Sequence, residues 1–78
     1  MIFDRIEWDE ENLDHATKRL TAAEIEQALW NADRMIPHRT HPDRALFRSV
    51  TDGGKRVLVV VQIVADGVRP ITGWEEWQ

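Results

Sequence analysis

The chain has no cysteine and no tyrosine. Without thiols it can build no disulfide, no thiolate nucleophile and no cysteine-based zinc site. Without a phenol, no tyrosine can serve as a general acid or base. The missing cysteines also fit a cytoplasmic home. Positive charge is in the minority: ten Lys and Arg against fourteen Asp and Glu leave a net charge of −4. That argues against a protein that coats nucleic acid, which carries a basic field, but is compatible with a local basic patch. Long apolar runs are missing as well. The longest, Val57 to Val61, is far too short to span a bilayer, so no membrane partner is expected. Met1 to Glu11 is charged and lacks an apolar stretch, so no signal peptide is expected. There is no internal repeat and no low-complexity tract.

What is present fits one domain over residues 1–78. A chain of this size buries only a little over ~60% of its unfolded surface, so its core is modest. A partner subunit would add stability by mass action. Met1 to Trp8 alternates loosely, with Ile2, Phe3, Ile6 and Trp8 as apolar members, which predicts a first strand. Asp9 reads as an N-cap, with Glu10 and Glu11 in the first turn where the helix dipole favours negative charge. Leu13, Ala16 and Leu20 make one apolar stripe at i, i+3 and i+7. Thr21 and Glu24 form a capping box for a second helix, with Leu20 and Ile25 at the staple positions around it. Ile25, Ala28 and Leu29 give that helix its buried face and Trp30 broadens it. It should stop near Asn31 to Arg34, ahead of Pro37.

Met35 to Asp43 holds two prolines and two histidines without periodicity, which predicts a loop or a marginal edge strand. Ala45 to Thr51 reads as a strand with apolar members on both faces. Asp52-Gly53-Gly54 reads as a hairpin turn, since glycine takes the positive φ it needs. The β-branched run Val57 to Val64 predicts a central strand buried on both faces. Asp66-Gly67 is a second hairpin signal. Val68 to Thr72 is the last strand, where Pro70 suggests an edge or a bulge, and Trp74 to Gln78 forms a short tail. The expected class is α+β in the order β-α-α-β-β-β, with two N-terminal helices packed on one face of an antiparallel sheet.

Several residues could carry chemistry. His38 and His41 lie three apart with Asp43 nearby, but a metal needs converging ligands, and this proline-bounded loop offers no third histidine or cysteine. No metal or cofactor is expected. The two histidines read either as exposed loop residues or as proton carriers. Arg34, Arg39, Arg44, Arg48, Lys55, Arg56 and Arg69 hold most of the positive charge, whereas acids concentrate in Asp4 to Asp14 and Glu75 to Glu76. This asymmetry reads either as a phosphate-binding face, because the guanidinium fork matches phosphate oxygens, or as solvated strand edges that resist aggregation. Asp52-Gly53-Gly54-Lys55 lacks the spacing and the following helix of a phosphate-cradling loop. No serine sits in a nucleophile-elbow context. Trp74 and Trp77 are candidate partner anchors. Trp74 is expected to pack in part, with sealing of the core beneath the helices as the bland reading.

Taken together, Ile6-Glu7-Trp8-Asp9, Asn12, the helix start Leu20-Thr21-Ala22-Ala23-Glu24-Ile25, Arg44, the run Thr51 to Val61 and Val68-Arg69-Pro70-Ile71-Thr72 resemble the BrnT toxins of type II toxin–antitoxin systems. The resemblance is distributed over about residues 2 to 73, with no single sharp motif. It implies a RelE-like fold, a metal-independent ribonuclease that inhibits translation, and a neutralising ribbon-helix-helix antitoxin. In such cleavage one group takes the 2′-hydroxyl proton, another protonates the leaving oxygen, and cations stabilise the charged phosphorane. Arg44 and Arg69 match the family pattern as RNA contacts. His38 and His41, as proton carriers, and Arg48, Lys55 and Arg56, as RNA contacts, are added from the residues themselves. The chain departs from the pattern at Gly73-Trp74-Glu75-Glu76-Trp77, where alanine-arginine and a helix rich in arginine and glutamate are usual. It also reads Arg19-Leu20 in place of a histidine-glycine pair. These departures imply that catalysis is weakened or lost. The alternative is a non-catalytic partner-binding protein of the same fold.

Overall fold

The computed structural model describes residues 3–76. Among them the chain runs β1 (Arg5–Ile6), α1 (Glu10–Ala16), α2 (Ala22–Asn31), β2 (Ile36–Pro37), β3 (Arg44–Val50), β4 (Arg56–Val64) and β5 (Gly67–Glu75). The strands form one sheet in the order β1-β5-β4-β3-β2. Both helices lie on one of its faces. The fold is α+β, as the sequence predicts, but the sheet is mixed rather than purely antiparallel, because β1 runs parallel to β5. That follows from connectivity: α1, α2 and three strands separate β1 from β5, so no tight turn forces them to run in opposite directions. The remaining pairs are antiparallel. No helix among the described residues is long and apolar enough to cross a membrane.

The first strand is much shorter than the alternation Met1 to Trp8 suggests. Met1 and Ile2 lie outside the described residues. Trp8 leaves the sheet, and its indole N–H donates to Glu26 at 2.7 Å. Asp9 caps α1 in a reciprocal box with Asn12, and Thr21 caps α2 in the box with Glu24. Leu20 and Ile25, the staple pair around the second cap, are both buried. α2 ends at Asn31, within the expected window.

The α1 stripe is not the one the spacing indicates. Leu13 is 43% exposed, while Asn12 and Ala16 turn inward. The amide of Asn12 explains this. Its Nδ2 donates to the carbonyls of Glu7 (3.0 Å) and Pro70 (3.1 Å), and its Oδ1 accepts from the Asp9 N–H (2.7 Å). A buried amide with all these partners fixes the helix more firmly than one leucine at its margin. Trp30 also differs: it stacks on Phe3 with centroids 4.9 Å apart but stays 42% exposed.

The core lies between the helices and one face of the sheet. Ala16, Leu20, Ile25, Ala28 and Leu29 meet Ala45 and Phe47 of β3, Val57, Val59 and Val61 of β4, and Val68 of β5. β4 is central, as expected, yet it is not buried on both faces. Val57, Val59 and Val61 are fully buried, whereas Val60, Gln62 and Val64 on the other face are only half-buried. No described element covers that second face, so the β-branched run reflects strand propensity there rather than burial.

The Asp52-Gly53-Gly54 turn forms as predicted, with Gly54 at φ 89°. At the second turn it is Asp66, not Gly67, that takes the positive φ, at 63°. Aspartate tolerates this region better than most residues. Met35–Asp43 contains the short edge strand β2, and Pro70 coincides with a bulge. Val60 pairs with Thr72 and Val61 with Pro70, leaving Ile71 as an extra residue in β5. The strand does not end at Thr72. It runs to Glu75, so Trp74 belongs to the sheet rather than to a tail.

Candidate functional site

Strand register places the candidate residues more tightly than sequence alone could. Residues directly opposite each other share a face. On the helix-free face this gives four rows across the sheet. The first is Arg44, Gln62 and Arg69; the second Ile36, Leu46, Val60 and Thr72; the third Arg48, Leu58 and Trp74; the fourth Val50 and Arg56. An apolar band of Ile36, Leu46, Val60, Leu58 and Trp74 therefore lies between the Arg44–Arg69 row and the Arg56 row, with Arg48 at the β3 end of the third row. Rows are about 7 Å apart along the strands and neighbouring strands about 5 Å apart. Arg44 and Arg69 are thus on the order of 10 Å apart at their backbones, with Gln62 between them.

Four predicted arginines, Arg44, Arg48, Arg56 and Arg69, share this face, but they are not equally available. Arg69 is held by three carboxylates at the start of α1. Its Nη1 bonds Asp9 and lies 3.5 Å from Glu7, and its Nη2 lies 3.5 Å from Glu11. Its guanidinium holds the Asp9 carboxyl below the ordinary carboxylate range, helped by the capping bond from the Asn12 backbone N–H. The hydrogen bond that Arg69 donates to Asp9 in turn raises the Arg69 pKa. Arg69 therefore clasps α1 to the sheet. Arg48 forks onto Glu76 at 2.9 and 3.4 Å, and the Glu76 N–H donates to the Arg56 carbonyl. That contact folds a carboxylate across the end of the face. Arg44 and Arg56 have no ion pair among the described residues.

Lys55 does not join them. It ion-pairs with Glu24 of the α2 capping box at 2.6 Å. This hydrogen bond lowers the Glu24 pKa and raises that of Lys55. The pair ties the β3–β4 turn to the start of α2.

His38 and His41 sit together beside Arg44, in the connection between β2 and β3, with rings 5.0 Å apart. The His38 N–H donates to the Arg44 carbonyl, and the Arg44 N–H to the His41 carbonyl. The Nδ1 of His38 accepts from the backbone N–H groups of Thr40 and His41, each at 3.2 Å. That nitrogen acts as an acceptor, so in the neutral ring the proton sits on Nε2. No group of three or more metal-ligating side chains occurs among the described residues.

Trp74 stands opposite Leu58 on the helix-free face, half-buried. Leu58, between Arg48 and Trp74, is only 8% exposed although no helix covers it. The bland expectation that Trp74 seals the core beneath the helices fails, because the bulge at Ile71 sets it on the opposite face. Trp77 lies outside the described residues. The residues that sequence reasoning missed are the acidic partners: Glu7, Asp9 and Glu11 around Arg69, and Glu76 around Arg48. Only their clustering at the two ends of the sequence signalled them. Comparison of the chain with family models, with curated proteins and with solved structures finds no match.

Proposed function

We propose that this chain is a toxin-like subunit of a cytoplasmic type II toxin–antitoxin pair, with a RelE/BrnT-like arrangement, that acts by binding a partner while RNA cleavage is weakened or lost. The carrying observation is the helix-free face: an apolar band with Leu58, Val60 and Trp74, bordered by Arg44, Arg48 and Arg56. Apolar centre and charged rim are the anatomy of a protein interface. Loss of catalysis is supported by the engagement of Arg69 with three carboxylates and of Arg48 with Glu76. A cation neutralised in this way gives little to a phosphorane. The partner on this reading is a ribbon-helix-helix antitoxin encoded next to the chain.

The test is expression of the full chain in a bacterial host, alone and with the ribbon-helix-helix protein encoded beside it. Unimpaired growth, intact RNA and co-purification of a hetero-oligomer are expected. Charge reversal at the rim, Arg44→Glu with Arg56→Glu, should loosen that complex at least tenfold. A protein that stays monomeric and captures no neighbour-encoded partner overturns the reading.

A second reading, an active metal-independent ribonuclease, draws on one observation: Arg44, Gln62 and Arg69 form one row with His38 and His41 at its end. Growth arrest with cleaved RNA on expression, abolished by His38→Ala or His41→Ala, would favour it.

A further inference from the structure

The core is left open at one end. α2 stops at Asn31, short of the last core-facing position of β4, and Ile63 there is 41% exposed. Phe3, Met35, Ile63 and Val68 line a pocket of about 220 Å³ at that point. Trp30, stacked on Phe3, extends the apolar surface. Trp30, Met35 and Ile63 are three of the five large apolar side chains exposed among the described residues. Such clustering on a small domain marks an interaction site more often than scattered exposure does.

The lip of this pocket is acidic. Asp4 and Asp66 both line it, and the Asp4 N–H donates to the Asp66 carbonyl at 2.9 Å, which holds the two residues side by side. Neither has an ion pair among the described residues. The neighbouring Arg5 is turned away onto Glu7 and the Ala65 carbonyl. The volume is below the usual range for a drug-sized ligand or cofactor, and suits one anchoring side chain.

We infer that this open end of the core is a docking site for a cationic segment of a partner protein. One leucine- or phenylalanine-sized side chain enters between Phe3, Met35 and Ile63, and flanking lysine or arginine meets Asp4 and Asp66. Charge complementarity selects this occupant: an apolar floor under two carboxylates repels acidic segments and nucleic acid. The site is separate from the arginine-bordered face and stands independently of the function proposed above.

The experiment uses the full chain with ¹³C-labelled methionine and isoleucine methyls, titrated with a synthetic leucine/lysine amphipathic peptide and with its leucine/glutamate counterpart. Saturable shifts at Met35 and Ile63 with the lysine peptide alone are the expected result. The double variant Asp4→Asn, Asp66→Asn should weaken that binding at least tenfold. Asparagine accepts the positive φ of residue 66, so the turn survives. Ile63→Lys, at an exposed position, should abolish binding with the thermal unfolding midpoint unchanged. Four results would overturn the proposal: equal binding of the glutamate peptide, the same shifts with single-stranded RNA, indifference to the double variant, or concentration-dependent shifts without peptide, which would mean a second copy fills the pocket. Each leaves the co-purification test of the other face unaffected.

Discussion

Asn12 carries more of the fold than its polarity suggests. Only 5% exposed, it bonds the carbonyls of Glu7 and Pro70 and caps α1 reciprocally with Asp9. Replacing it with leucine would leave the buried Pro70 carbonyl unpaired, a loss of about 1–3 kcal/mol. Asn12→Leu should therefore lower unfolding stability by about 2 kcal/mol, read from a urea titration with unchanged slope. An unchanged midpoint would mean that water replaces the amide. Apolar periodicity could not reveal this residue, because it assigns the inward face to Leu13, Ala16 and Leu20. The inward choice of Asn12 depends on a carbonyl 58 residues away in sequence. The two caps, by contrast, were legible, since Asp9 and the Thr21–Glu24 pair are local signals.

Between elements, the ion pairs act as clasps at the starts of the two helices. Arg69 joins β5 to α1 through Asp9, and Lys55 joins the β3–β4 turn to α2 through Glu24. Both carboxyls have folded-state pKa values below the ordinary range, chiefly through hydrogen bonds from those cations. The unfolded chain therefore binds these protons more tightly. The stabilisation is complete above the ordinary carboxylate range and is lost as the pH falls through it into the depressed folded values. Urea midpoints should hold from neutral pH down to the ordinary carboxylate range and fall as the pH drops through it. Asp9→Asn, which keeps a capping side chain but not the charge, should flatten the decline. A parallel decline in the variant would assign the acid sensitivity elsewhere. β1 depends on a different detail, the bare backbone of Gly67. A Cβ there would overlap the Arg5 carbonyl. Gly67→Ala should cost about 2 kcal/mol and speed amide exchange at Asp4 and Glu7, whose N–H groups bond Asp66 and Val68. The parallel pairing itself was not legible, because direction in a sheet is set by which distant segments meet.

At the scale of the molecule, the charge asymmetry read from the sequence becomes partly internal neutralisation. The acids of the two ends fold back onto Arg69 and Arg48, and Arg44 and Arg56 remain as the unpaired cations of the helix-free face among the described residues. The sequence held part of the shared face: Arg44 and Arg48 are four apart on one strand and so point the same way. It did not hold the register that brings Arg56, Leu58 and Trp74 onto that face. If that face is covered by a partner, stability must rise with partner concentration. A partner at a hundred times its Kd adds about 2.7 kcal/mol, and the thermal midpoint should climb by several degrees as the neighbour-encoded protein is titrated in. A midpoint that ignores the added protein argues against the pairing.

The single supernumerary residue at Ile71 acts as a change of phase along β5. Ahead of it, odd positions such as Arg69 point away from the helices; after it, even positions such as Thr72 and Trp74 do so. Were Ile71 instead paired as a regular strand residue, with no bulge, inside and outside would be exchanged over the last third of the strand. The indole of Trp74 would then be driven onto the helix side opposite Val57, and Thr72 would enter the slot where Gly73 now lies against Leu20 and Val59. One bulge thus decides which side of the molecule owns the Trp74 ring.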